Sequence, residues 1–90
     1  IAVGISERLN NKGVAVYPNP FSDQTTIEVV KPNRNTSYFL ELFDRAGKRV
    51  QSMTSNTGKF TVNAENLSAG MYFYQVSDSD WFSTGKVVVQ

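Results

Sequence analysis

The chain has 90 residues, of which 40% are hydrophobic and 19% charged, with a formal net charge of +1. This composition predicts one small folded domain and excludes a disordered tail. Histidine and cysteine are absent. Their absence excludes disulfides, a Ser-His-Asp triad, cysteine nucleophiles, and metal sites built on thiolate or imidazole. The basic residues are scattered, with Lys48-Arg49 as the only adjacent pair, so nucleic-acid binding is not indicated.

Residues 1–13 show no sustained hydrophobic period and end in the turn cluster Asn10-Asn11-Lys12-Gly13. We interpret residues 1–13 as a linker or a loose first strand, and residues 14–90 as the domain. No apolar run is long enough to span a bilayer, and no signal peptide opens the sequence. The first residue is Ile1, which is typical of a fragment or a processed piece.

From Val14 onward the patterns are those of short strands separated by turns. Alternating or apolar runs predict strands at residues 14–17, 25–31, 38–44, 48–53, 59–63, 71–77 and 81–89. No segment has a helical period. About seven short strands at regular spacing predict an all-β fold, an antiparallel β-sandwich.

The expected core consists of the apolar residues that alternation turns inward: Ile27, Val29, Leu40, Leu42, Val50, Phe60, Val62, Leu67, Tyr72, Tyr74, Val76 and Val88. Val87 and Val89 compete with Val88 for the inward face, because a shift of one residue exchanges the two faces of a strand. Gly85, within the last strand, is expected to mark a bulge or bend.

The stretch "VAVYPNPF" ends the first strand with two prolines around Asn19. Pro18 and Pro20 fix their own φ, lack amide donors, and bias the residue before each toward extended geometry. We expect a rigid corner that redirects the chain, anchored by the apolar Phe21.

Two sets of residues could bind a ligand, and each has a plainer interpretation. Asp78 and Asp80 flank Ser79, but Ca²⁺ needs about 6–8 oxygen ligands, so we expect these carboxylates to cap local amides. Phe39, Phe43, Trp81 and Phe82 could form an aromatic platform for a sugar, although edge packing within the core is favoured. We therefore predict no catalytic residue, no metal site and no cofactor.

Several stretches, taken together, resemble a known family. "VYPNPF" is followed by "TTIEV", then by "LELFDRAGKRV", "GKFTVNAENLSAGMYFYQV" and "TGKVVVQ". Their order and spacing resemble the C-terminal sorting domain of the type IX (Por) secretion system of Bacteroidetes, from about Val14 to Gln90.

The resemblance implies an Ig-like β-sandwich that acts as a non-catalytic secretion signal for cargo domains placed before it in the same chain. It implies recognition by the outer-membrane type IX translocon, after passage through the periplasm. A sortase-like peptidase would then remove the domain, near or before Val14. The cargo would reach the outer-membrane surface or the extracellular medium.

The resemblance also identifies four motifs. They are the corner around Asn19, the hairpin turn at residues 44–48, the glycine loop that contains Leu67, Gly70 and Tyr72, and the terminal strand at residues 85–89. The residues expected to be structural are Pro18, Asn19, Pro20, Asp44, Gly47, Lys48 and Leu67. Recognition by the translocon is expected to use Gly70, Tyr72, Gly85, Lys86, Val87, Val88, Val89 and Gln90. A terminal strand can pair through its edge with a receptor, or with a second copy in a strand-swapped dimer. The competing interpretation is that the last two motifs only hold the sandwich together.

A carbohydrate-binding or fibronectin-like accessory module of a secreted enzyme is the alternative function. Such a module could lie anywhere in its parent protein, whereas a sorting domain must end it. Glycan binding that is lost on Trp81→Ala would favour the module. An enzyme is disfavoured because the sequence has no histidine, no cysteine and no clustered acid pair.

Overall fold

The computed structural model describes residues 13–32 and 36–90. The predicted linker at 1–12 and the predicted turn at 33–35 therefore lie outside the described residues. The strands are β1 (Val14–Tyr17), β2 (Gln24–Val29), β3 (Tyr38–Phe43), β4 (Arg49–Ser55), β5 (Lys59–Asn63), β6 (Gly70–Ser77) and β7 (Phe82–Val89). No helix in these ranges is long and apolar enough to cross a membrane.

The strands form two sheets. A three-stranded sheet has the order β1-β2-β5, and a four-stranded sheet has the order β4-β3-β6-β7. Every strand pairing is antiparallel. The predicted all-β, Ig-like sandwich is confirmed.

The core lies between the two sheets, where alternate side chains of each strand point inward. Its buried hydrophobic residues are Val14, Phe21, Ile27, Val29, Tyr38, Leu40, Leu42, Phe60, Val62, Tyr72, Tyr74, Val76, Val87 and Val89. Val50 and Leu67, which were expected in the core, are half-buried and pack against it. Burial of each large side chain stabilises the fold by about 1.5–3 kcal/mol before the entropy cost of folding.

The inward face of β7 carries Val87 and Val89, so the expectation that Val88 fills the core is wrong. Val87 is fully buried opposite Tyr72, whereas Val88 is half-buried on the other face. Lys86 lies two residues before Val88 and therefore shares its face. A register that turned Val88 inward would also bury the ammonium group of Lys86.

The expected bulge at Gly85 is also wrong. The pairing of β6 with β7 continues without a shift from Gly70–Val89 to Ser77–Phe82, and Gly85 pairs with Tyr74 inside it. The register shift occurs instead between Leu42 and Phe43, in the pairing of β3 with β4. It comes directly before the connection between these two strands.

Candidate recognition surface

The corner, residues 18–21, is hydrogen-bonded along the end of β7. Oδ1 of Asn19 accepts a hydrogen bond from the Val88 N–H at 2.9 Å, and its Nδ2 donates to the Lys86 carbonyl at 3.2 Å. The Phe21 N–H donates to the Val88 carbonyl at 2.9 Å, and the Gln90 N–H donates to the Phe21 carbonyl at 2.8 Å. The corner thus occupies the place of a neighbouring strand beside residues 86–90.

Two further contacts fix the corner to the rest of the sandwich. The Phe21 ring is buried in the core, as the sequence predicted. The buried Thr25 Oγ1 donates to the Pro18 carbonyl at 2.6 Å, and Thr25 belongs to β2 of the other sheet. Through these two contacts the corner joins the two sheets along one side of the molecule. Both X–Pro bonds of the corner are cis.

The hairpin turn, residues 44–48, is closed by its own aspartate. Oδ1 of Asp44 accepts hydrogen bonds from the N–H groups of Ala46 and Lys48, each at 2.9 Å. The Gly47 N–H donates to the Asp44 carbonyl at 3.0 Å, with Gly47 at a φ of 86°. The carboxylate is consequently a local cap of the turn.

The glycine loop, residues 67–72, is fixed to the core by its own tyrosine. The Tyr72 hydroxyl donates to the Ser68 carbonyl at 2.7 Å, while its ring lies in the core. The loop faces the hairpin turn across an open groove of about 330 Å³, whose lining residues are Asp44, Arg45, Ala46, Ser68, Ala69, Gly70, Met71 and Tyr72.

All four motifs meet at one end of the sandwich, which we call the motif end. Phe43, just before the hairpin turn, pairs with Phe73, just after the glycine loop. Gly70 pairs with Val89, and the corner bridges to Val89 through Phe21. Gly13, where residues 1–12 join the domain, lies at the opposite end of the strands, next to Val30. We call that end the entry end.

An apolar surface covers the outer face of the four-stranded sheet near the motif end. We call it the outer patch, and its residues are Phe43, Met71, Phe73 and Val88. Phe43 pairs with Phe73, and Met71 pairs with Val88. Met71 and Phe73 are exposed, while Phe43 and Val88 are half-buried. The cation of Lys86 borders the patch, because Lys86 pairs with Phe73.

Comparison with known proteins decides the family. The description "Secretion system C-terminal sorting domain" matches residues 15–90. The chain belongs to this family, the type IX sorting domains. The sorting domain is a module of exported proteins, so its destination is the outer-membrane surface or the extracellular space. Among curated protein sequences, none matches this chain.

Two solved structures are similar to the sorting domain in fold. One is a DUF3244 family protein from Bacteroides vulgatus with an immunoglobulin-like β-sandwich, at 17% identity and a TM-score of 0.70, covering 87% of this chain and 85% of that one. The other is PorZ, a surface component of the type IX secretion system of Porphyromonas gingivalis, at 23% identity and a TM-score of 0.71. The match covers 93% of the sorting domain but only 12% of PorZ.

The residues expected to be recognised divide into two groups in the sorting domain. Tyr72, Val87 and Val89 are buried, which makes their side chains part of the core. Lys86 and Gln90 are exposed, whereas Val88, Gly70 and Gly85 are half-buried. The exposed Met71 and Phe73 were not among the expected residues. The signal was available, since both alternate with the inward Tyr72 and Tyr74 and so share the outer face.

The aromatic residues considered for sugar binding are not brought together as one platform. The half-buried Trp81 packs edge-on against Tyr38, with ring centroids 6.2 Å apart and planes at 89°. Phe39 and Phe82 lie on the outer face near the entry end, on either side of Ser77. Phe43 lies at the motif end, in the outer patch. The expected edge packing of Trp81 is what the structure shows.

The acidic turn at residues 78–80, at the entry end, is closed by a hydrogen bond between two of its own residues. Oδ1 of Asp78 accepts a hydrogen bond from the Asp80 N–H at 2.8 Å, which is the local capping that the sequence predicted. Within residues 13–32 and 36–90, no three acidic side chains are grouped so that they could hold a metal ion. An open pocket of about 460 Å³ lies nearby, lined by Gly13, Val29, Val30, Lys31, Tyr38, Asp78 and Trp81.

Tyr17, the last residue of β1, donates a hydrogen bond from its hydroxyl to the Glu28 carboxylate on β2. This hydrogen bond, with partial desolvation and the negative charge of Glu28, raises the pKa of the Tyr17 phenol above its ordinary value of 10.0. Lys59 on β5 lies 4.0 Å from the same carboxylate. The three side chains form a polar ladder across the outer face of the three-stranded sheet.

Proposed function

We propose that this domain is a non-catalytic address label whose motif end is read by the type IX translocon. A sortase-like peptidase then separates it from the cargo on the N-terminal side of Val14. Membership of the sorting-domain family supports export through the type IX system. The arrangement of the four motifs supports the location of the recognition surface.

The observation that carries the proposal is the placement of the motifs relative to the entry of the chain. The four motifs meet at the motif end, while Gly13 lies at the entry end. Cargo that precedes Gly13 would therefore join the domain at the end opposite the motif end. This polarity suits a domain that is read while it is still joined to its cargo.

The described residues also support a cut before Val14. Val14 is fully buried and pairs with Val29, and the Gly13 carbonyl accepts a hydrogen bond from the Val30 N–H at 2.6 Å. A peptidase needs an extended, accessible substrate. Cleavage at 14–17 would require β1 to leave its sheet.

The absence of catalysis is part of the proposal, and the local chemistry supports it. The Asp44 carboxylate closes the hairpin turn, and Glu41 pairs with Arg49 at 3.2 Å. Glu28 is engaged by Tyr17 and Lys59. These carboxylates all have structural partners, and the sequence contains no histidine or cysteine that could replace them as acid, base or nucleophile.

A fusion tests the proposed function. Residues 1–90 are attached after a periplasmic reporter in a host with a working type IX system, and in the same host without its translocon. We expect the reporter on the cell surface or in the medium in the first host only. A reporter that remains in the periplasm of both hosts would contradict the proposal.

Deletion of residues 87–90 is a poor test of recognition, because it removes the buried Val87 and Val89 together with partners of the corner. Surface changes separate recognition from folding. Met71→Ser in the outer patch should reduce export severalfold, while Val30→Ser, at an exposed valine of the entry end, should not. Equal export of the two variants would argue against reading at the outer patch.

A further inference from the structure

One edge of β7 is only partly covered by the corner. In an antiparallel ladder, successive residues turn their main-chain groups alternately toward one neighbour and the other. Both main-chain groups of Val88 bond to the corner, so they point away from β6. The N–H and C=O groups of Phe82, Thr84 and Lys86 must point the same way, since these residues are spaced at intervals of two from Val88.

The corner reaches only the last part of this edge. Its contacts run from the Lys86 carbonyl to the Gln90 N–H. Upstream lie the outward N–H and C=O groups of Phe82 and Thr84 and the N–H of Lys86. No residue of 13–32 or 36–90 forms a hydrogen bond with these five groups. We call residues 82–86 the open edge.

The open edge has few of the features that protect sheet edges from pairing. Protection usually comes from proline, from inward charges or from a covering segment. Its sequence is Phe-Ser-Thr-Gly-Lys, with its single charge at the end where the corner begins. Phe82 is 65% exposed, the highest value among the large hydrophobic residues of 13–32 and 36–90. An accessible backbone therefore lies beside an accessible apolar ring.

We propose that an extended strand of a protein partner in the secretion machinery pairs with the open edge, with the corner marking the end of the paired segment at Lys86. This inference rests on the proposed function and adds a second contact to the reading of the motif end. The contact runs along β7 from Phe82, near the entry end, to Lys86, beside the outer patch. Pairing through β7 is thereby assigned to residues 82–86 rather than to the terminal residues 87–90, whose edge the corner already occupies.

The chemistry of the open edge favours a strand over other ligands. Its donors and acceptors repeat every second residue, and only another extended backbone presents matching groups at the same spacing. Three N–H and two C=O groups give up to five main-chain hydrogen bonds. Phe82 and Thr84 on the outer face would contact side chains of the added strand, which would give the pairing its specificity.

Matched proline substitutions test this assignment. Thr84→Pro removes one outward N–H from the open edge without removing a bond to β6. Thr54→Pro is the control: Thr54 is exposed on β4, the other edge strand of the same sheet. Its N–H also points outward, because the same alternation carried across β6 and β3 leaves residues 52 and 54 facing away from β3. Thr84→Ala keeps the N–H and removes only the side chain.

The readout is surface delivery of the reporter fusion, with the urea unfolding midpoint of each purified variant measured beside it. We expect Thr84→Pro to lower delivery at least tenfold, while Thr54→Pro and Thr84→Ala stay within twofold of the parent. Should Thr84→Pro unfold more readily than Thr54→Pro, Phe82→Pro replaces it, compared with Phe82→Ala. Proline is tolerated at the first residue of a strand.

The possible failures are distinguishable. If the parent domain delivers no reporter, the proposed function is wrong. If the parent delivers but both edge prolines deliver equally well, the function stands and the open edge is not the binding segment. Loss of delivery in Thr54→Pro as well would mean that the machinery responds to the sheet in general, which also overturns the assignment.

Discussion

Asn19 and Val88, which are 69 positions apart in the sequence, are joined by a 2.9 Å hydrogen bond from the Val88 N–H to the Asn19 side chain. The same side chain donates to the Lys86 carbonyl. One asparagine thus supplies the acceptor and the donor that a neighbouring strand would offer. The corner and β7 consequently form one unit, although they are made from opposite ends of the domain.

Asn19→Ala should destabilise the fold by about 1–3 kcal/mol. The substitution removes the two hydrogen bonds to β7, of about 0.5–1.5 kcal/mol each, and leaves the part-buried Val88 N–H without its acceptor. Urea unfolding measures the change. Asn66→Ala, at an exposed asparagine, is the control and should shift stability by less than about 0.5 kcal/mol. Equal shifts would show that the corner does not hold β7.

Phe21→Ala should be far more damaging than Phe82→Ala. Truncation of a buried phenylalanine costs about 3–5 kcal/mol, a large part of the 5–15 kcal/mol that stabilises a typical domain. Phe21 is 2% exposed and Phe82 is 65% exposed. Thermal unfolding followed by circular dichroism compares the two. Similar melting temperatures would contradict the anchoring role of Phe21.

The register of β7 predicts opposite effects at neighbouring valines. Val87→Ala should cost about 2 kcal/mol, since each buried methylene contributes about 0.8 kcal/mol and the cavity adds to the loss. Val88→Ala should cost less than about 0.5 kcal/mol, because Val88 packs on the outer face. Chemical denaturation of the pair measures the difference. A larger loss at Val88 would require the strand to be shifted by one residue.

Alanine substitutions at two glycines with positive φ distinguish backbone strain from steric crowding. Gly47 has a φ of +86° with nothing within 4 Å of an added Cβ, whereas Gly58 has a φ of +80° and an added Cβ would lie 3.2 Å from Val29 and Pro32. Gly47→Ala should cost about 1–2 kcal/mol through the left-handed conformation alone. Gly58→Ala should cost more, as both effects apply. Equal unfolding free energies would show that the neighbours relax freely.

Tyr17 should titrate at a higher pH than a tyrosine whose hydroxyl has no carboxylate partner. The difference in tyrosinate absorbance between the parent and Tyr17→Phe isolates its phenol, and we expect a midpoint above pH 10.0. Because the folded-state pKa is raised, the stabilisation is complete below the unfolded-state pKa and is lost as the pH rises through the folded-state value. Glu28→Gln should lower the midpoint. An unchanged midpoint in Glu28→Gln would exclude the hydrogen bond as the main cause.

Much of the fold could be predicted because strand patterns are local. In Thr25, Ile27 and Val29, and in Phe60 and Val62, alternation alone gave the inward face, since one side of each strand must leave water. The hairpin at Gly47 followed from turn chemistry. The last strand could not be assigned in this way, because Val87, Val88 and Val89 offer apolar groups to both faces. Only the neighbouring Lys86 and the packing against Tyr72 decide the register.

The sequence by itself determined the strand order along the chain, the rigid corner and the motifs that identify a sorting domain. The tertiary structure alone decided where those motifs lie: together at one end, opposite Gly13, with the corner bonded to β7. Sequence patterns report the surroundings of each residue along the chain. The contact of Asn19 with Val88 depends on how two sheets stack, which no local pattern contains.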